Sequence, residues 1–170
     1  MELDIYLIRH AESVANLTPE IIAGRSNDSP LSEKGKRQPG LLGNRLKKAG
    51  IKFNSVHSSS DIRAISTAID TSRIIDYPVQ DIVMSDELVE LSQGDWEGKT
   101  RKEVYTSGVQ AMALASQPDF CPPNGESQRQ GEERMTRYIF RNFIPGPLTA
   151  DATVAIFTHG MAIKCFLRGV

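Results

Sequence analysis

The residues of this chain whose types suit group-transfer chemistry are the pair Arg9-His10, Arg63, an acidic stretch holding Asp86, Glu87 and Glu90, and His159. A neutral imidazole is a capable nucleophile at pH 7, a guanidinium offers a fixed fork of donors, and a carboxyl can protonate a departing oxygen. Two imidazoles and two guanidiniums together match a tetrahedral dianion such as a phosphoryl group. The chain has no glycine loop ending in G-K-[ST] and no acidic cluster suited to magnesium, so triphosphate chemistry is not expected and side chains must supply the positive charge. His10-Ala11-Glu12 also fits half of a zinc deaminase signature, but the P-C-x-x-C half is missing because Cys121 is followed by two prolines. No metal and no cofactor are expected.

Such groups react only when elements deliver them to one place. Apolar residues at 3, 5, 7 and 8 read as a short buried strand ending at Arg9 and His10. Turn formers from Asn16 to Pro30 follow, then Ser32 as the N-cap of a helix running to Ala49, in which Pro39 and Gly40 predict a kink or a restart. Phe53 to Ser59 suits a second strand, and Ser60 or Asp61 caps a helix with Ile62, Ile65 and Ile69 inward and Arg63 in its first turn. A third strand fits Val79 to Met84, followed by the acidic stretch Asp86 to Gly98, a helix from about Arg101 to Ser116, and an exposed loop over 117–127. An amphipathic helix spans about Gln128 to Phe143, with Met135, Ile139 and Phe143 on one face, before a Pro-Gly-Pro turn. The run TVAIFT at 153–158 is a continuous buried strand that stops at His159-Gly160.

Strands alternating with helices imply right-handed crossovers and a three-layer α/β/α sandwich with a mainly parallel sheet. Ligands of such sheets bind beyond the carboxyl ends of the strands. Those ends carry Arg9-His10, Ser58 with Arg63 following, Glu87 with Glu90, and His159. His57, the third histidine, has no such placement and is read as structural.

The run Arg9-His10-Ala11-Glu12-Ser13 followed by Asn16 resembles the R-H-G/A-E-S…N signature of the histidine phosphatase superfamily, also called phosphoglycerate mutase-like. Gly24-Arg25 with DSPLSEKG at 28–35, SSSDIRAISTA at 58–68, ELVELSQGDWEG at 87–98, GES at 125–127 and Thr158-His159-Gly160 are similar to the family's later motifs, in the same order. The resemblance implies phosphoryl transfer through a phosphohistidine. His10 is then the nucleophile, Arg9, Arg63 and His159 hold phosphoryl oxygens, and Glu90, four residues before Gly94, is the acid rather than Glu87. Asn16, Gly24, Arg25 and Gly160 are expected beside the substrate, Trp96 is expected in packing, and Glu126 and Ser127 suit either substrate contact or a helix cap.

Composition narrows the setting. A chain of 170 residues with 39% hydrophobic and 24% charged side chains reads as one globular domain, and its net charge of −1 argues against nucleic acid or an anionic membrane as partner. Two cysteines, Cys121 and Cys165, form no C-x-x-C, and the acidic N-terminus does not look like a signal peptide, so a cytoplasmic protein is expected. The chain ends shortly after His159, where the family adds a further strand. A single domain over 1–170 lacking that strand is expected to leave a sheet edge bare, for which a homodimer is one remedy. The segment between Glu90 and His159 is also shorter than in mutases with a long covering insertion. These features favour a phosphomonoesterase for small phosphorylated metabolites, with a phosphoglycerate mutase or a non-catalytic phospho-ligand module as alternatives.

Overall fold

The computed structural model describes residues 2–26, 28–144 and 150–169. Its sheet has four parallel strands, β1 (Leu3–Arg9), β2 (Ser55–Ser59), β3 (Val83–Ser85) and β4 (Ala152–Thr158), in the order β1-β4-β2-β3. The helices are α1 (Gln38–Lys48), α2 (Ile62–Ile74), α3 (Arg101–Val104), α4 (Ser107–Ser116), α5 (Gln128–Phe143) and α6 (Gly160–Arg168). The central strand β4 shows why the sheet needs cover on both faces. Successive side chains point to opposite sides, so Val154 and Ile156 join Met135, Ile139, Ala162 and Phe166 from α5 and α6, while Ala155 and Phe157 meet Val56 and Ala68 on the α1–α2 side. The result is the expected three-layer α/β/α sandwich. Among the described residues no helix is long and apolar enough to cross a membrane.

The strand ends and α5 fall where the sequence puts them, and four other expectations need correction. The helix expected from Ser32 begins instead as a 3₁₀ turn over Gly35–Arg37, and the restart expected at Pro39 is α1, whose first turn takes that proline. Proline is tolerated there because its missing N–H would have no helical partner. Ser32 Oγ still caps the turn, accepting from the Gly35 N–H at 3.0 Å.

In α2 the buried face is Arg63, Ala64, Thr67, Ala68, Thr71 and Ser72, not the isoleucines, and Ile62 is exposed. This face meets the sheet and the start of the site: Ala68 packs with Val56, Ala155 and Phe157, and Thr67 Oγ1 accepts from the Ala11 N–H at 3.0 Å. Against α1 it is the partner residue that is small, since a Cβ on Gly43 would lie 2.8 Å from Ile74 Cβ. The third strand shrinks to Val83–Ser85 because Val79–Asp81 turns as a 3₁₀ segment. The helix expected over 101–116 is broken at Tyr105, where Thr106 Oγ1 accepts from the Val109 N–H and restarts it as α4. The 117–127 loop is mostly open, with Pro122 and Ser127 buried. The Pro-Gly-Pro turn lies outside the described residues.

Candidate active site

β1 ends in Arg9, and the His10 N–H then donates to the Thr158 carbonyl at 2.9 Å, which fixes His10 beside the end of β4. His10 Nδ1 lies 2.7 Å from the Ala11 carbonyl oxygen, which can only accept. Nδ1 therefore carries the proton and Nε2 presents the lone pair. Burial lowers the His10 pKa from 6.5 to about 3, opposed by the Ala11 hydrogen bond and reinforced by positive charge at His159, Arg63 and Arg9. The ring is thus neutral, and nucleophilic, across the physiological range.

His159 begins the next turn of chain as the N-cap of α6, its ring centroid 5.0 Å from that of His10. It is fully buried, with Nε2 2.9 Å from Ser59 Oγ and 3.0 Å from Asp61 Oδ2, while Nδ1 has no hydrogen-bond partner in the protein. Arg63, in the first turn of α2, is buried too and donates to Asp61 Oδ2 at 3.0 Å and to the Ser26 carbonyl at 2.6 Å. Burial lowers the Arg63 pKa, and Asp61 is the largest opposing influence. Asp61 occupies the N-cap position expected for it, but its carboxylate makes no cap bond and is turned to Arg63 and His159 instead.

Glu90 stands opposite, at the start of α6. Its carboxylate accepts from the Met161 and Ala162 N–H groups at 3.1 and 2.9 Å and from the Leu91 N–H at 3.0 Å. Helix N-terminal N–H groups have no partner of their own in the helix, so this carboxylate both caps α6 and is fixed by it. Glu87 points elsewhere and pairs with Arg141 of α5. Asp86 accepts from Ser60 Oγ.

Arg9, His10, Arg63 and Glu90 line one cavity of about 290 Å³, together with Asn16 and Gly24. Asn16 Oδ1 accepts from the Ser13 N–H at 2.9 Å, and Gly24 takes a left-handed backbone with Glu97 lying against it. A Cβ there would sit 2.2 Å from Glu97 Oε1, the atom that also accepts from the Arg25 and Gln93 N–H groups at 3.1 and 2.8 Å. Arg25 does not line this cavity: Nε donates to the Glu90 carbonyl at 3.1 Å and Nη2 lies 3.4 Å from Glu126. His159 is fully buried and does not line the cavity, and Gly160 lies against Arg9, where a Cβ would be in ordinary contact 3.4 Å from Arg9 Nε.

Several contributors escape sequence reasoning. Asp61 carries a signal, two residues before Arg63 in one motif, but only as a cap. Glu97 sits in a motif without an evident partner. Arg134 carries no signal; from α5 it pairs with Glu126 through two nitrogens at 2.8 and 2.7 Å and donates to the Glu87 and Val89 carbonyls, holding the acidic stretch in place. Arg101 and Tyr105 also line the cavity. Ser127 proves to be the cap of α5, accepting from the Gln130 N–H, and Glu126 is an ion-pair partner. His57 is structural, bonded to Tyr138 at 2.8 Å and Ser55 at 3.2 Å.

Residues 5–170 match the model of the histidine phosphatase superfamily, branch 1. A 2,3-bisphosphoglycerate-dependent phosphoglycerate mutase of Bartonella henselae is 30% identical over 172 residues, covering 100% of this chain and 82% of the mutase. Among solved structures, Bacillus stearothermophilus YhfR matches with a TM-score of 0.80 at 28% identity, over 98% of this chain and 79% of YhfR. A mycobacterial glucosyl-3-phosphoglycerate phosphatase shares the fold with a TM-score of 0.78 at 22% identity, over 96% of this chain and 76% of that one. The Bartonella match also revises one inference. A mutase that aligns with all 170 residues in 172 positions has no long insertion after its counterpart of Glu90, so the short segment before His159 does not separate phosphatase from mutase.

Proposed function

The chain belongs to the histidine phosphatase superfamily, branch 1, and from that membership we propose a metal-independent phosphomonoesterase that hydrolyses small phosphorylated metabolites through a phosphohistidine. His10 Nε2 attacks phosphorus, the ester P–O bond breaks, and Glu90 gives its proton to the departing oxygen. Arg9, Arg63 and His159, whose ring centroid is 5.0 Å from that of His10, stabilise the charge on the oxygens of the transferring group. Water, deprotonated by Glu90, then attacks phosphorus; the P–N bond breaks, releasing phosphate and restoring neutral His10 and protonated Glu90.

One observation carries hydrolysis over isomerisation. Beyond Arg9 and Arg63, Arg101 is the one further cationic side chain lining the cavity among the described residues. A mutase must retain a second phosphate and a carboxylate while its intermediate waits, and a single spare guanidinium is a poor match for that charge. The mutase remains the second reading because the Bartonella relative is named as one.

Phosphate release from a panel of phosphomonoesters decides between them, run beside 3-phosphoglycerate with its bisphosphate primer. Release should exceed isomerisation; efficient isomerisation would sink the hydrolase. Rapid quench with labelled ester should trap an acid-labile, base-stable phosphoenzyme that His10→Ala abolishes together with turnover. Phosphate binding without turnover of any ester would support the non-catalytic module.

A further inference from the structure

A second cavity, of about 140 Å³, adjoins the first, and Leu91, Gln93, Tyr105 and Met161 line both. Its own walls take apolar surface from Trp96, Ala113 of α4, Pro118, Phe120 and Pro122, and polar groups from Gln117, Gln128 and Glu126. The Trp96 ring stands edge-on to Tyr105 with centroids 5.6 Å apart and lies tilted against Phe120 at 5.7 Å. No cationic side chain lines this space among the described residues. Glu126, the one carboxylate on its wall, is already held by Arg134 and Arg25.

Position and size suggest an occupant. Leu91 follows Glu90, and Met161 donates its N–H to the Glu90 carboxylate, so the shared wall begins where the leaving oxygen would depart. An apolar cavity of about 150 Å³ is enough to take up a benzene ring. A charged group entering it would lose its hydration without gaining a counter-ion.

Building on the phosphomonoesterase reading, we propose that the Trp96–Tyr105–Phe120 cavity is the leaving-group pocket, and that preferred substrates are phosphomonoesters whose alcohol bears one uncharged, apolar, ring-sized group. Phosphorylated hydroxy acids are disfavoured for the same reason. Trp96 thus has a second task beside the packing expected of it.

Calorimetric binding of phosphonates tests this without requiring turnover. Benzylphosphonate should bind at least about tenfold more tightly than methylphosphonate or 2-carboxyethylphosphonate, the scale on which hydrophobic pockets discriminate small groups. Ala113→Trp, which fills the pocket, and Phe120→Ala, which removes a wall, should each bring the benzyl-to-methyl ratio to within about twofold. Using a ratio within each protein cancels any general loss of phosphonate affinity. Equal affinities in the parent protein, or a ratio unmoved in both variants, would overturn the proposal. A benzyl preference without turnover of any ester would instead leave the pocket standing and refute the hydrolase.

Discussion

The His10 ring is held neutral by its burial, and that has a cost in acid. The folded protein titrates His10 at about 3 and the unfolded chain near 6.5, so between these values the unfolded state binds more protons. Stability is therefore fully present above pH 6.5 and is lost as pH falls toward 3, by about 3 kcal/mol between pH 7 and 4. His10→Asn should remove most of that loss, measured as the difference between denaturant unfolding free energies at the two pH values; an unchanged difference refutes it. Glu90→Gln should slow phosphohistidine formation from alkyl phosphates by about 10²–10⁴-fold and from p-nitrophenyl phosphate far less, because an activated phenolate leaves unassisted. Single-turnover rates check this, and equal losses on both esters would reduce Glu90 to a positioning residue. Asp61 is buried, pairs with the buried Arg63 and lies 3.0 Å from His159 Nε2, so Asp61→Asn should destabilise the fold by about 3–5 kcal/mol in denaturant melts. That Arg9, His10, Arg63 and Glu90 gather on one cavity is legible because each lies at or soon after a strand end within a motif. Asp61 and Arg134 are not, because they act through other side chains that only tertiary structure brings near.

Elements show the same division between local and tertiary control. β4 is legible as a continuous apolar run and α5 as a repeating apolar face, whereas α2 presents an isoleucine stripe although it meets the sheet through Ala68. The break between α3 and α4 had a local signal in Thr106, outweighed by the apolar run around it. Gly24 tests how firmly the acidic stretch is latched to the loop before it. Gly24 and Gly50 are both left-handed, at φ 51° and 69°, but only Gly24 has a neighbour where a Cβ would go. Gly50→Ala should then cost about 1–2 kcal/mol for its backbone alone. Gly24→Ala should cost a further 1–3 kcal/mol or so, by displacing Glu97. Denaturant melts of the two variants measure that difference, and equal costs would mean that Glu97 yields freely.

The whole molecule works as a bracket, its sheet carrying reactive groups from distant parts of the sequence to one rim. An anion bound there engages only the folded state, so phosphate at a hundred times its Kd should add about 2.7 kcal/mol and raise the melting temperature by roughly 5–10 °C. Arg9→Gln should shrink that rise, and a scan showing the same rise in both proteins would place the anion elsewhere. The strand order has a consequence in time as well. Among the described residues β1 pairs with β4 alone, from Leu3 with Ala152 to Arg9 with Thr158. During synthesis on the ribosome, β1 emerges long before β4, the strand that must supply its hydrogen-bonding partners. The His10 N–H therefore lacks its Thr158 partner until β4 arrives, and the nascent protein cannot fix its nucleophile before that long-range pairing is made.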